Sequence, residues 1–256
     1  MKNNRLKLAL KNAEQTYGVW LTLSHPLIPE ILAPAGFDWM VVDMEHTSIE
    51  LNDLLQMIIS IEAVNSIPLV RVGENNPNLI KRVMDAGAYG IIVPNIQTAQ
   101  EVRNAVSAVK YPPFGTRGVG LYRAHKFGQA FEEYKRWLET ESVIVVQIEH
   151  INAVENIEEI FSTSGIDAFM IGPYDLSGSI GCPGELDHPE VHKAIEKILD
   201  AANKLQIPAG YHVVPPDPIE VKKYRNKNFK FLAVSVDSII LKNSAIDLMS
   251  HIKNQA

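Results

Sequence analysis

Two carboxylates and an amide fall at the ends of neighbouring β-rich runs of the sequence. Gln147 and Glu149 belong to VIVVQIEH, where alternate residues of a strand share one face. Asp175 follows the next run, in MIGPYDLSGS. Carboxylate oxygens with no cysteine nearby suit a hard cation such as Mg²⁺ or Mn²⁺. Taken singly, each acid more often has a structural role, Asp175 as a helix N-cap and Glu149 in a salt bridge, so the metal interpretation depends on the pair.

Other polar side chains at strand ends could bind an anion or transfer a proton. Arg71 ends the apolar run IPLVRV, where a buried guanidinium needs either an anionic ligand or one of the protein's own acids. His46 follows Asp43 and Glu45 in VVDMEHT, and histidine changes its protonation state near neutral pH, as a general base requires. Asp85 ends a predicted helix, where a carboxylate is unfavourable, so it needs a structural partner or an imidazole.

Several catalytic groups are missing from the sequence. No predicted strand carries a lysine in its interior, and Lys230 falls at the start of the last strand, so Schiff-base chemistry is not expected. The segments HVVPPD and VDSIILKN lack the glycines that bind phosphate in many barrels. No G-x-S-x-G turn or Walker sequence occurs. We therefore expect neither an enamine mechanism nor a phosphorylated substrate.

Eight β-rich runs that alternate with helical stretches must position these groups. Most of the runs are continuously apolar, as in VIVVQI and FLAVSV, which is typical of parallel strands covered by helices. The predicted strands span 19–23, 39–43, 68–72, 90–94, 143–149, 167–171, 208–212 and 231–236. The predicted helices span 49–65, 77–85, 98–109, 154–162, 189–205 and 218–226.

This alternation predicts an α/β fold, a (β/α)₈ TIM barrel formed by residues 1–256 as a single domain. The competing doubly wound sheet would carry a glycine-rich turn after its first strand, where this chain has SHPLIPE. In a barrel, the active site forms at the carboxyl ends of the strands, which is where the polar residues above fall. The connection 96–142 is long for a compact domain, which favours a functional or oligomeric role.

Composition narrows the class of protein further. The 256 residues carry a formal net charge of −6, which argues against a nucleic-acid or anionic-membrane surface. Charges interrupt every apolar run, so neither a secretory leader nor a membrane span is expected. The single cysteine, Cys182, cannot form an internal disulfide. We expect a cytoplasmic protein.

The motifs together resemble the HpcH/HpaI aldolase family, metal-dependent class II lyases that cleave 4-hydroxy-2-oxoacids to pyruvate and an aldehyde. The resemblance covers nearly the whole chain. It is carried, in the family's order and spacing, by GFDWMVVDMEH, VRV, KRVMDAGAYGIIVPN, YPPFGTRGVG, QIE and IGPYDLSGSIG. It implies a divalent ion as cofactor, with Mg²⁺, Mn²⁺ or Co²⁺ expected to support activity.

The resemblance also implies a role for each site residue. Glu149 and Asp175 match the metal ligands, and Arg71 matches the arginine on the substrate's keto oxygen. His46 matches the catalytic histidine, supported by Asp85. The remaining matches are Gln147 beside metal and substrate, Asp43 and Glu45 as acids behind the ligands, and the segment Gly172, Pro173, Tyr174 and Asp175 as the backbone that receives the substrate carboxylate.

Three departures from the family's pattern bear on the aldehyde. Tyr174 replaces a smaller residue, RAHKFG follows the RGVG turn, and His150 follows Glu149 where threonine is usual. The same site would also support metal-dependent oxaloacetate decarboxylation, in which His46 is idle. A citrate-lyase activity is less favoured because no basic cluster suits a CoA phosphate. A third alternative, from another class, is a non-catalytic ligand-binding barrel.

Oligomer formation is expected from the C-terminal segment. Ile246, Leu248, Met249 and Ile252 recur about one helical turn apart and form an apolar stripe. The stripe either closes the chain's own ring of helices or, as the resemblance implies, packs on a neighbouring subunit of a homo-oligomer, with a hexamer favoured. Residues 112–114 and the turn at Arg117 are then expected to approach a partner's active site.

Overall fold

Eight parallel strands close into a barrel in the computed structural model, which describes residues 3–254. Each strand pairs with its neighbours in chain order, and β8 pairs with β1. The strands are β1 (Thr16–Leu21), β2 (Trp39–Asp43), β3 (Ile67–Arg71), β4 (Gly90–Val93), β5 (Val143–Ile148), β6 (Ala168–Ile171), β7 (Ala209–Val213) and β8 (Phe231–Val236). The predicted (β/α)₈ barrel is confirmed.

Helices follow the strands and cover the barrel. They are α1 (Arg5–Lys11), α2 (Leu27–Leu32), α3 (Leu51–Ala63), α4 (Pro77–Ala86), α5 (Ala99–Val109), α6 (Phe131–Glu141), α7 (Ile151–Glu155), α8 (Ile157–Phe161), α9 (Pro173–Ile180), α10 (Pro189–Leu205), α11 (Pro218–Asn226) and α12 (Asp237–Asn254). The helix predicted over 154–162 is wrong as one element: α7 and α8 meet at Asn156, whose side chain donates to the Gln97 carbonyl.

The base of the barrel, at the amino ends of the strands, is filled by aromatic rings. Trp39 stacks on Phe231 with ring centroids 4.1 Å apart. A Cβ at Gly18 would collide with the Trp39 ring, and one at Gly210 would lie 2.8 Å from the Phe231 ring. The strand β1 begins three residues before the predicted one and includes Gly18. A glycine usually weakens a strand, but here it leaves room for the Trp39 ring.

Two buried cations anchor the long connection between β4 and β5. Lys110 Nζ donates to the Leu138 and Glu139 carbonyls at the end of α6, over 2.5 and 3.0 Å. The Arg117 side chain is fully buried and forms an ion pair with Asp85 at 2.5 Å. The Arg117 side chain therefore packs in the interior of its own chain, and the approach of this turn to a partner stays a prediction.

The C-terminal helix α12 leaves the barrel surface. Asp237 is its only buried residue within the part of the chain that the structure describes. The exposed fractions of its apolar residues are 55% for Ile246, 62% for Leu248, 48% for Met249 and 52% for Ile252. The alternative in which this stripe closes the chain's own helical ring is therefore wrong. Across residues 3–254, no helix combines the length and hydropathy needed to span a bilayer.

Candidate active site

Arg71 lies at the end of β3, held by two acids from the end of β2. Its Nε donates to Asp43 Oδ1 at 2.9 Å, and its Nη2 donates to Asp43 Oδ2 at 2.6 Å. Glu45 Oε2 lies 3.0 Å from Arg71 Nη1. The two hydrogen bonds to Asp43 use two of the five N–H groups of the guanidinium and fix its plane, and Glu45 adds only an ion pair, so the other N–H groups are available to a ligand.

Glu149 follows β5 directly and is surrounded by neutral donors. The Gln147 amide donates to Glu149 Oε2, and the Asn95 backbone N–H donates to Oε1 at 2.7 Å. Burial, partly offset by these hydrogen bonds, raises the Glu149 pKa to about 7, and the charges of Glu45 and Asp175 act in the same direction. Among residues 3–254, no basic side chain forms an ion pair with this carboxylate, as one usually does with a buried charge, and Arg71 acts on it only over a longer distance.

The turn from β6 into α9 brings Asp175 to the same rim. Gly172 packs directly on Glu149: a Cβ there would collide with Glu149 Oε2 and lie 2.8 Å from its Cβ. The Gly172 N–H donates to the Ile148 carbonyl, and Pro173 has no N–H. The N–H groups of Tyr174 and Asp175, in the first turn of α9, have no acceptor within residues 3–254 and suit an anion.

His46 lies at the mouth of the barrel, just after β2. Its side chain is 65% exposed, and its Nε2 lies 3.8 Å from Glu45 Oε2. Asp85 lies elsewhere, in the last turn of α4 before β4, where it binds Arg117. No hydrogen bond joins His46 to Asp85 among residues 3–254, so the predicted support of His46 by Asp85 is not formed within this chain.

A cavity of about 740 Å³ opens at the carboxyl ends of the strands. Its lining includes Asp43, His46, Arg71, Gln147 and the segment 172–175, which are predicted site residues. The sequence interpretation missed Trp20 and Thr22 at the end of β1, and His212 in β7, which also line it. His212 was detectable, because it is the last residue of the strand predicted over 208–212.

The residues on the rim fit a divalent cation. The carboxylates of Asp43, Glu45 and Glu149 interact electrostatically with the Arg71 guanidinium, and Asp175 adds a fourth negative charge that acts on Glu45 and Glu149. Gln147 Oε1 is buried without a partner in the described chain. Within residues 3–254, no three His, Cys, Asp or Glu side chains are grouped so that they could hold a metal ion. A cation bound at this rim would therefore take at most two carboxylates from this chain, with substrate and water at its other positions.

Comparison with known proteins agrees with this geometry. Residues 16–244 match the HpcH/HpaI aldolase/citrate lyase family. The chain is 34% identical to a 5-keto-4-deoxy-D-glucarate aldolase of Escherichia coli over 251 residues, which cover 98% of this chain and 97% of that protein.

Solved structures give the same result. An HpcH/HpaI aldolase/citrate lyase family protein of Burkholderia cenocepacia superposes with a TM-score of 0.93 at 32% identity, covering 98% of this chain and 99% of that one. An HpcH/HpaI aldolase of Desulfitobacterium hafniense superposes with a TM-score of 0.90 at 31% identity, covering 97% and 96%. Together these matches support an aldolase function. The chain belongs to the HpcH/HpaI aldolase/citrate lyase family.

Proposed function

We propose that this chain is a divalent-metal-dependent aldolase that cleaves a 4-hydroxy-2-oxoacid reversibly to pyruvate and an aldehyde. The observation that carries the proposal is the pair Glu149 and Asp175, two carboxylates that form no ion pair within residues 3–254, at the same rim as a guanidinium whose plane Asp43 fixes. The family is in general dependent on a divalent metal ion, and Mg²⁺, Mn²⁺ and Co²⁺ are the ions we expect to support activity.

The substrate class follows from the chemistry of the relatives' name. In 5-keto-4-deoxy-D-glucarate, the keto carbon adjoins a carboxylate, and the hydroxyl of C3 lies two carbons away. Numbered from that carboxylate, the compound is a 4-hydroxy-2-oxoacid. We propose the same substrate class for this chain. The part of the cavity beyond the oxoacid end would then bind the aldehyde-derived part of the substrate.

Glu149 and Asp175 would hold the metal, which when bound supplies positive charge that stabilises the developing enolate of pyruvate. The Arg71 guanidinium supplies a second positive charge, and its free N–H groups donate to the keto oxygen. The N–H groups of Tyr174 and Asp175 orient the substrate carboxylate at the start of α9. Gln147 positions Glu149 through its amide hydrogen bond.

His46 is the proposed base. In the cleavage direction it accepts the proton of the C4 hydroxyl as the C3–C4 bond breaks, and in the addition direction it returns that proton to the new alkoxide. Within one copy of the chain, Asp85 lies in the last turn of α4 and makes no contact with His46, so any support of His46 by Asp85 would come from a second copy.

We also propose a homo-oligomer, with a hexamer favoured, in which α12 packs on a neighbouring copy. The exposed apolar side chains of Ile246, Leu248 and Met249 support this arrangement, since a free helix with such a stripe is unfavourable in water. We expect the assembly to be cytoplasmic.

The experiment compares two substrates. Pyruvate release is followed from a 4-hydroxy-2-oxoacid and from oxaloacetate, in the wild type and in His46→Ala. An aldolase that uses His46 loses cleavage of the hydroxyacid by about 10²–10⁴-fold in the variant, while decarboxylation persists. Turnover of oxaloacetate alone in the wild type would instead favour a decarboxylase. Metal binding without turnover of either compound would favour a non-catalytic barrel.

A further inference from the structure

His212 lines the active-site cavity but has no part in the proposed chemistry. It lies in β7, between Tyr211 and Val213, and its ring stacks on Trp20 with centroids 4.6 Å apart. The Arg71 guanidinium carbon lies 5.3 Å from the centroid of the same Trp20 ring. Trp20 therefore connects His212 to the arginine that marks the oxoacid end of the proposed site.

A hydrogen bond fixes the tautomer of His212. Its Nε2 lies 3.1 Å from the Ser235 carbonyl oxygen. A carbonyl oxygen can only accept, so Nε2 carries the proton and donates it. Nδ1 of the neutral ring is then an acceptor, and no group within residues 3–254 donates to it. Burial, together with the charge of Arg71, lowers the His212 pKa to about 4, so the ring is neutral at physiological pH.

The cavity wall at His212 carries an acceptor, Nδ1, that the described chain leaves unpaired. Polar atoms in a site shielded from water usually have partners, so a free acceptor on the lining indicates that this wall receives a polar group of the ligand. A three-carbon oxoacid fills only a small part of the 740 Å³ cavity, which leaves this wall to the aldehyde-derived part.

We propose that His212 is a specificity-determining residue, whose Nδ1 accepts a hydrogen bond from a hydroxyl group of the aldehyde-derived part of the substrate. The proposal rests on the proposed aldolase function and narrows it to hydroxylated aldehydes. An aliphatic aldehyde of the same size would leave Nδ1 unpaired in a desolvated site. The free energy of its transition state is then higher than that of the hydroxylated substrate.

The test is aldol addition of pyruvate to glycolaldehyde and to propanal, which have the same number of heavy atoms and differ by a hydroxyl in place of a methyl group. His212→Phe keeps an aromatic ring against Trp20 but removes the acceptor, whereas the carbonyl oxygen of His212→Asn occupies about the position of Nδ1. We expect the ratio of kcat/KM for glycolaldehyde to that for propanal to fall about tenfold in His212→Phe and to be largely kept in His212→Asn.

Exchange of the pyruvate methyl hydrogens with deuterated solvent, measured without aldehyde, separates the two proposals. We expect exchange at wild-type rates in both variants. An equal fall for both aldehydes, or an unchanged ratio in His212→Phe, would overturn the role of His212 while exchange and addition still support the aldolase. Absence of both exchange and addition in the wild type would instead count against the aldolase itself.

Discussion

The Gln147 amide nitrogen, in β5, donates to Oε2 of Glu149, the residue that directly follows this strand. Because the Asn95 N–H donates to Oε1, both oxygens of this carboxylate are oriented by neutral groups, with no cation among them. The arrangement holds the carboxylate in one position through neutral donors, without an ion pair among residues 3–254. We expect this organisation of a carboxylate that would ligate a metal ion, and not of one that forms a salt bridge.

Removal of the metal is expected to abolish cleavage. Exhaustive chelation removes activity, and Mg²⁺, Mn²⁺ or Co²⁺ restores it. Glu149→Gln lowers metal affinity at least tenfold, measured by calorimetric titration, because one of the two charged ligands is lost. Glu155→Gln, at an exposed glutamate of α7, is the matched control. Full activity after chelation, or trapping of pyruvate on a lysine by borohydride, would contradict the assignment.

Arg71 is expected to matter more than Asp85. Arg71→Ala lowers kcat/KM by about 10²–10³-fold, because the charge at the keto oxygen disappears. Asp85→Asn has a smaller effect, since Asp85 does not touch the cavity lining in its own chain. Steady-state kinetics with one 4-hydroxy-2-oxoacid, together with the melting temperature of each variant, makes the comparison. An Asp85→Asn defect larger than that of Arg71→Ala would reverse this order.

Gly172→Ala is expected to disable the metal site without unfolding the barrel. The added Cβ collides with Glu149 Oε2, so the carboxylate must leave its position. Activity and metal affinity fall at least tenfold. Gly178→Ala, in the same helix α9, is the control, because its Cβ would meet nothing within 4 Å. Equal activity of the two variants would show that Glu149 tolerates displacement.

The apolar stripe of α12 is expected to hold the assembly together. Light scattering of the wild type gives a mass above that of the 28.5 kDa chain. Deletion of the residues after Asn243, or the pair Ile246→Glu and Met249→Glu, reduces it. His251→Glu, on the polar side of the same helix, leaves it unchanged. A wild type that is monomeric at micromolar concentration would remove the proposed oligomer.

The buried Lys110 predicts a dependence of stability on pH. Burial, reinforced by the charge of Lys7, lowers the Lys110 pKa from 10.5 to about 8. Between these two pH values, the Lys110 side chain binds more protons in the unfolded chain than in the folded one. The contribution of Lys110 to the free energy of unfolding therefore rises with pH. The wild type should therefore gain stability relative to Lys110→Met, by up to roughly 3 kcal/mol, from about pH 8 to pH 10.5.

Chemical denaturation across this pH range measures the difference. Lys11→Met, at an exposed lysine of α1, should show no such trend relative to the wild type. A difference between wild type and Lys110→Met that is constant with pH would contradict the lowered pKa.

The barrel was predictable because buried parallel strands leave continuous apolar runs such as VIVVQI and FLAVSV in the sequence. The rim acids were predictable because strand ends place them, and Glu149 and Asp175 do lie at one edge. The break at Asn156 and the early start of β1, which includes Gly18, were not predictable, since each depends on a contact with a residue distant in sequence, Gln97 or Trp39.

The site was predictable only in part for the same reason. Helix position indicated that Asp85 needs a partner, but sequence cannot distinguish an imidazole from the guanidinium of Arg117, 32 residues away. His212 could be identified as a strand residue from the sequence. Its proposed role depends on the Ser235 carbonyl, which fixes its tautomer and leaves Nδ1 as an acceptor. Partners across the barrel, rather than residue types, decide these roles.

The stacked rings of Trp39 and Phe231 fill the amino end of the barrel, so ligands of the proposed site enter and leave through the cavity at the carboxyl ends of the strands. Two ligands at different depths of such a cavity do not exchange independently. For the proposed reaction, the oxoacid end would be the deeper of the two, because Arg71 lies on β3 inside the rim, whereas His46 is at the opening. The aldehyde would then leave first and bind second, and we expect sequential, ordered steady-state kinetics.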